Sequence, residues 1–249
     1  MVIHNDALSA LQSFQDNTIH LTVTSPPYFN ARDYVTYTSL DHYFDTMRGI
    51  FQEVLRVTKE SRMCAVNISP VLVPRESRSK QSYRLPLPFT FVEMMTKMGW
   101  EFLEDIIWVK PSGASANRNG GFYRHRKPVA YKPNIITEYI FVFKKPAPFL
   151  IDKVLRNIDQ ETLNNSLVAD GYERTNVWTM NPETRSKHPA PYPLELPEKL
   201  IRYYSYVGET VLDPFAGSGT TGVVAKMLNR NHIMIEQDET YVKMIKQRL

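Results

Sequence analysis

The sequence predicts an α/β fold, a mainly parallel sheet with helices on both faces, from three observations. Short apolar runs alternate with stretches of helical spacing over all 249 residues, as crossover-linked parallel strands require. Three glycines spaced G-x-G-x-x-G, Gly217, Gly219 and Gly222, fall between a strand pattern and a helix pattern. The chain also opens on a strand that fits beside its last one, because the helix after that last strand calls for a further parallel neighbour.

Taken in order, "MVIHNDA" is a short strand ending on Asp6, which can cap the helix "ALSALQSF". "HLTVTS" is a strand. "LDHYFDTMRGIFQEVLRVTK" places Phe44, Met47, Ile50, Phe51, Val54 and Leu55 at helical spacing. "SRMCAVNIS" is a strand, and "LPFTFVEMMTKMG" is a helix ended by Gly99. "WEFLEDIIWVK" and "TEYIFVFKK" are two more strands. "PLELPEKLIRYYS" is a helix, "ETVLDPFA" a strand, "TTGVVAKMLN" a helix, "HIMIEQ" a strand and "DETYVKMIKQRL" a final helix. There is no internal repeat.

Two stretches break this rhythm. From Ile106 to Thr137 no acidic residue occurs, while basic residues interleave with Phe122, Tyr123 and Tyr131 in a glycine- and proline-bearing loop. Residues 146–187 are polar with weak periodicity and read as a small inserted module. Residues 1–145 and 188–249 then form one domain around it.

Composition narrows the class. Hydrophobic residues are 43% of the chain and aromatics 12%, enough for a sizeable core and for stacking surfaces; the net charge is +4. The single cysteine, Cys64, excludes a disulfide framework and a cysteine-rich zinc site, so no metal is expected. It lies in an apolar strand pattern, as a structural thiol does. The start carries no basic-then-apolar signal pattern, and no apolar stretch has membrane-spanning length. A soluble cytoplasmic protein without membrane contact is the expectation.

The glycine cluster sits in "VLDPFAGSGTTGVVAKML". Glycines there let backbone approach a nucleotide-like cofactor, and the helix start offers free N–H groups. Glu236 ends the next strand, where a carboxylate can accept both hydrogen bonds of a ribose diol. No Gly-Lys-Ser/Thr follows, so it is not a P-loop. Spacing alone leaves a dinucleotide or S-adenosylmethionine open. Asp213-Pro214 is no part of a nicotinamide fingerprint, and an acid there suits the sulfonium and ammonium of S-adenosylmethionine. If the first strand lies beside the Glu236 strand, Asp6 shares that edge as cap, cofactor contact or both. The corner "TSPPYF", residues 24–29, also follows a strand and opens onto the same edge.

"TSPPYF" and "DPFAGSGTT" together resemble the catalytic and cofactor motifs of DNA amino-methyltransferases. Their order resembles the β permutation class, in which the catalytic motif comes first. The resemblance covers nearly the whole chain. "IHNDA", "IIWVKPS", "TEYIFVFKK" and "HPAPYPLELPEKLI" are similar to further family segments; Asn5 stands where glycine is commoner. The resemblance implies a Rossmann-like, circularly permuted S-adenosylmethionine-dependent methyltransferase fold. It implies Ser25, Pro26, Pro27 and Tyr28 as catalytic residues. Asp6, Pro191, Asp213, Phe215, Ala216, Gly217, Ser218, Gly219, Thr220, Thr221 and Glu236 are implied as cofactor residues. Prokaryotic or phage origin follows from it too.

The chemistry agrees with the residues. An exocyclic base amine is a poor nucleophile because its lone pair is delocalised into the ring. The Ser25 side chain and the Pro26 carbonyl are rigidly held acceptors for its protons. The base must leave the duplex, and Tyr28, with Phe29 beside it, is the stacking platform. Ring-carbon methylation needs a cysteine nucleophile, and Cys64 is in the wrong context. In the family, serine at position 25 tends to mark cytosine N4 and aspartate adenine N6. Cytosine N4 is therefore expected, with adenine N6 as the alternative. A non-catalytic DNA-binding protein of this fold and a nicotinamide-dependent oxidoreductase are remoter readings.

Double-stranded DNA is the expected partner. Arg118, Arg124, Arg126, Lys127 and Lys132 are the expected phosphate contacts, with Arg75, Arg78, Lys80 and Arg84 a weaker second cluster. By resemblance, residues 146–187 are the target-recognition region. They are short for that task, which leaves room for a homodimer or help from loop 113–133. A cognate restriction endonuclease is left open.

Overall fold

The structure is a computed structural model that describes residues 1–30, 37–75, 77, 79–114, 120–183 and 192–249. Its strands are β1 (Val2–His4), β2 (Ile19–Thr24), β3 (Thr58–Ile68), β4 (Val71–Val73), β5 (Tyr83–Leu85), β6 (Glu101–Val109), β7 (Thr137–Lys144), β8 (Val177–Thr179), β9 (Thr210–Asp213) and β10 (Asn231–Glu236). Its helices are α1 (Ala7–Gln12), α2 (Leu40–Val57), α3 (Leu87–Lys97), α4 (Gly120–His125), α5 (Asp152–Arg156), α6 (Gln160–Ser166), α7 (Glu195–Tyr204), α8 (Thr220–Met227) and α9 (Glu239–Arg248).

The main sheet runs β1-β10-β9-β2-β3-β7-β6-β8. The block from β1 to β3 is parallel throughout. Strand β1 pairs with β10, Val2 opposite Met234, so the two ends of the chain close one edge as the sequence predicts. Strand β7 runs antiparallel to both β3 and β6. At the other edge β8 adds to β6 in parallel, Trp178 opposite Trp108. The segment 146–187 therefore contributes a strand to the main sheet as well as α5 and α6.

Alternation along the central strands builds two cores. On β3, Cys64, Val66 and Ile68 face one side, where they join Met47, Phe51 and Phe91 from α2 and α3. Met63 and Ala65 face the other, with Leu200 and Ile201 of α7 and Val224 of α8. A strand buried on both faces reads as a continuous apolar run, which is why β2 and β3 are visible in the sequence. Cys64 is fully buried and burial pushes its thiol up, as an inert core thiol requires.

Chain direction across the sheet sets the position of the site. From β9 the chain proceeds outward to β10; from β2 it proceeds the opposite way to β3. Neighbours β9 and β2 thus form the point where the strand order reverses, and ligands bind beyond the carboxyl ends of such strands. The "TSPPYF" corner leaves β2 there, and the glycine loop leaves β9 there.

Candidate active site

A cavity of about 500 Å³ opens at this point, within the size range of small-molecule sites. Ser25 and Pro27 line it from the β2 corner, Pro214, Phe215 and Gly217 from the glycine loop, and Glu236 and Asp238 from the end of β10. Asn5 and Asp6 line it from the end of β1. Two motifs about 190 residues apart in sequence therefore share one cavity.

The glycine loop is held by its neighbours. Gly217 and Gly219 have φ of +52° and +79°, left-handed values that glycine tolerates. Glu236 Oε2 accepts the Gly217 N–H at 2.8 Å and Oε1 accepts the Asp238 N–H at 2.9 Å. Burial pushes the Glu236 carboxyl above its ordinary range, and these backbone bonds pull it back. Each Glu236 oxygen keeps a further lone pair for a ligand hydroxyl. Asp6 caps α1, Oδ1 accepting the Ser9 N–H at 3.0 Å, and also lines the cavity. The cap and the cavity-facing role coexist.

Asp213 is wholly buried and does not line the cavity. Its Oδ1 accepts from the Thr24 hydroxyl at 2.7 Å and the Phe215 N–H at 3.1 Å. Its Oδ2 accepts from the hydroxyls of Thr221 at 2.8 Å and Tyr192 at 3.1 Å. Both oxygens are engaged in tying β2, the glycine loop and α8 together. Burial raises its carboxyl, and the four donors oppose that rise. Ala216, Ser218, Thr220 and Thr221 are likewise buried and do not line the cavity, and Gly219 packs against Ile245. Pro191 lies outside the described residues.

At the other wall Pro26 is buried, and Tyr28 is half-buried without lining the cavity. The Tyr28 hydroxyl donates to Glu138 Oε2 at 3.2 Å, and the Ser25 hydroxyl reaches the Tyr28 oxygen at 3.5 Å. Glu138 is ion-paired with Lys110. Phe29 packs on Tyr37 and Tyr43 with ring centroids 6.4 and 6.1 Å apart. Tyr37, His42, Thr46, Met47 and Ile50 also line the cavity. The sequence reading missed their part in the site: Met47 and Ile50 show only as a helical core stripe, and no local signal marks the others.

The basic loop leaves β6 and returns to β7 beside Tyr28, with Lys110 and Glu138 at its two ends. Arg124, Arg126, Lys127 and Lys132 are exposed. Phe122 and Tyr131 pack edge to face at 5.2 Å and brace that loop. Arg118 and Arg78 lie outside the described residues. In the segment 146–187, Asn176 donates to the Asp105 carbonyl at 2.8 Å and is thereby used in the fold. Among the described residues no cluster of metal-ligating side chains occurs, and no helix is long and apolar enough to cross a membrane.

A mainly parallel sheet with a glycine loop and a Ser-Pro-Pro-Tyr corner at its switch point defines a nucleotide-cofactor enzyme of the Rossmann-like class. The chain belongs to the N6/N4 DNA methylase family, whose profile matches residues 19–247. It is 30% identical to the Type II beta methyltransferase M.BslI of Bacillus sp. (strain NEB-606), over 99% of this chain but 27% of that protein's length. It is 27% identical to the Type II methyltransferase M.SmaI of Serratia marcescens, over 100% of this chain and 90% of that one. The Thermus thermophilus protein TTHA0409, solved in complex with S-adenosyl-L-methionine, superposes with a TM-score of 0.80 at 28% identity, covering 99% of this chain and 91% of the other.

Proposed function

We propose that this chain transfers the methyl group of S-adenosylmethionine to the exocyclic N4 amine of a cytosine flipped out of double-stranded DNA at a specific sequence. One observation carries the reading: Ser25 and Pro27 meet Gly217 and Glu236 on a single cavity at the switch point. The residues present fit the cofactor. Glu236 and Asp6 offer carboxylate oxygens for a ribose and an amino group. Gly217 brings backbone close without a side chain. The cofactor supplies an electrophilic methyl on a sulfonium.

The chain's own residues do the rest. Ser25 and the Pro26 carbonyl accept the hydrogens of the target amine, drawing its nitrogen toward a tetrahedral shape with an available lone pair. Tyr28 is the stacking platform for the extruded base. Arg124, Arg126, Lys127 and Lys132 neutralise phosphates, and their loop is anchored beside Tyr28, where the base must enter. Residues 146–187 read the target sequence. Serine at position 25 favours cytosine N4 over adenine N6. The relatives' Type II names support a cognate restriction endonuclease as partner, and a homodimer would enlarge the recognition surface.

The test is nucleoside analysis of mixed-sequence duplex DNA after incubation with purified protein and labelled cofactor. N4-methylcytosine is expected. N6-methyladenine would transfer the reading to adenine, and no methylated base would refute it.

A further inference from the structure

The ion pair of Lys110 and Glu138 ends at the Ser-Pro-Pro-Tyr corner through the Tyr28 hydroxyl. The two side chains are mostly buried, 21% and 16% exposed. Glu138 stands on β7 opposite Trp108, and the Lys110 ammonium lies 4.6 Å from the centre of the Trp108 ring. The carboxylate is therefore held from below: Oε1 receives the ammonium, and Oε2 receives the Tyr28 hydroxyl at 3.2 Å.

Directions of donation follow from the chemistry. An ionised carboxylate only accepts, so the Tyr28 O–H must point at Glu138. Burial, and then the Glu138 charge, push the Tyr28 phenol well above its ordinary range, so it keeps that proton. With its hydrogen committed, the Tyr28 oxygen can only accept, and Ser25 is the donor, at 3.5 Å. That length is the outer limit of a hydrogen bond, and catalytic hydrogen bonds are often this long before the reacting complex forms.

We infer that Lys110, Glu138 and Tyr28 form a one-way hydrogen-bond relay that turns the Ser25 hydroxyl proton away from the target and leaves Ser25 an obligate acceptor for the base amine. Glu138 and Lys110 are then positioning residues acting through Tyr28. A free serine hydroxyl can rotate and donate to the amine nitrogen, which would occupy the lone pair the methyl must meet. The relay removes that unproductive rotamer without placing a formal charge against the base. It rests on the proposed methyl transfer.

Glu138→Gln tests direction rather than shape. Lys110 claims the amide oxygen, so the amide NH2 faces Tyr28; the phenol then turns to donate toward Ser25, and the relay runs backwards. Single-turnover methyl transfer to DNA should slow at least 30-fold, with cofactor affinity within about twofold of wild type. Lys110→Met added to Glu138→Gln frees the amide to present its oxygen to Tyr28, and should recover at least tenfold over the single variant. A purely structural ion pair predicts the opposite, since the second substitution would only add damage. Should Glu138→Gln fail to fold, Tyr28→Phe cuts the relay above an intact ion pair and should slow the same step by a similar factor. A Glu138→Gln or Tyr28→Phe rate within threefold of wild type, or a double variant no faster than Glu138→Gln, overturns the relay. Absence of transfer by the wild type would instead overturn the methyltransferase reading and take the relay with it.

Discussion

Replacing Gly219 with alanine should damage this protein more than replacing Gly222, although both sit in one glycine motif. Gly219 has φ of +79°, a left-handed value that costs an L-residue about 1–2 kcal/mol. Its new Cβ would lie 2.9, 3.1 and 3.3 Å from three carbons of Ile245. Ile245 is fully buried and β-branched, so it yields little; overpacking adds about 1–3 kcal/mol. The expected loss is about 3 kcal/mol. Gly222 lies inside α8, where alanine gains about 1 kcal/mol in helix propensity. Its Cβ would meet Met234 Cγ and Sδ at 2.9 Å, and this buried but unbranched side chain must shift, with no left-handed backbone strain added. Its net cost should be about 0–2 kcal/mol. Urea unfolding measures both, and calorimetric titration with S-adenosylmethionine measures the site. Gly219→Ala should also weaken the cofactor on the order of tenfold, because the loop it distorts presents Gly217 and faces Glu236. A Gly219→Ala stability within about 0.5 kcal/mol of wild type, or Gly222→Ala as the costlier change, would refute this packing account.

Asp213→Asn should lose about 1–3 kcal/mol of stability, since one acceptor oxygen serving two hydroxyls becomes a donor. Urea unfolding checks this, and cofactor affinity should fall with it. Burial, then the charges of Lys59 and Arg62, lower the His20 imidazole to about 4. The unfolded chain takes up that proton near pH 6.5, so His20 contributes stability above about pH 6.5 that is lost as pH falls toward 4. Denaturant midpoints should show a loss of about 1–2 kcal/mol over that window, allowing for partial exposure, and His20→Asn should flatten it. Arg124→Ala with Lys127→Ala should weaken DNA binding at all sequences and reduce the slope of log affinity against log salt by about 2; an unchanged slope would remove these residues from the interface.

Elements that answer to a local pattern were legible in the sequence. Strands β2, β3, β9 and β10, helices α2, α7, α8 and α9, and the pairing of β1 with β10 all follow from apolar period and from the valence of a parallel sheet. What escaped depends on distant contacts. Strands β4, β5 and β8 have three residues each, too few for a period. The β8 signal is one tryptophan whose partner, Trp108, lies 70 residues earlier. The antiparallel direction of β7 leaves no trace in its side-chain pattern. Thr58 and Lys59 looked like the end of α2 but open β3, because Thr58 pairs with Ile19. In the site, the motifs announced Ser25, Gly217 and Glu236. The burial of Asp213 and the Glu138–Tyr28 bond did not show, since a carboxylate's role depends on which donors surround it.

The central claim is that the β2 corner acts on the base while the glycine loop holds the cofactor. Single-turnover methyl transfer by Ser25→Ala, preloaded with S-adenosylmethionine and mixed with duplex DNA, tests it most directly. The rate should fall on the order of 100-fold, while the cofactor Kd stays within about twofold of wild type. Transfer at the wild-type rate, or a loss of cofactor affinity that accounts for the whole defect, would contradict it.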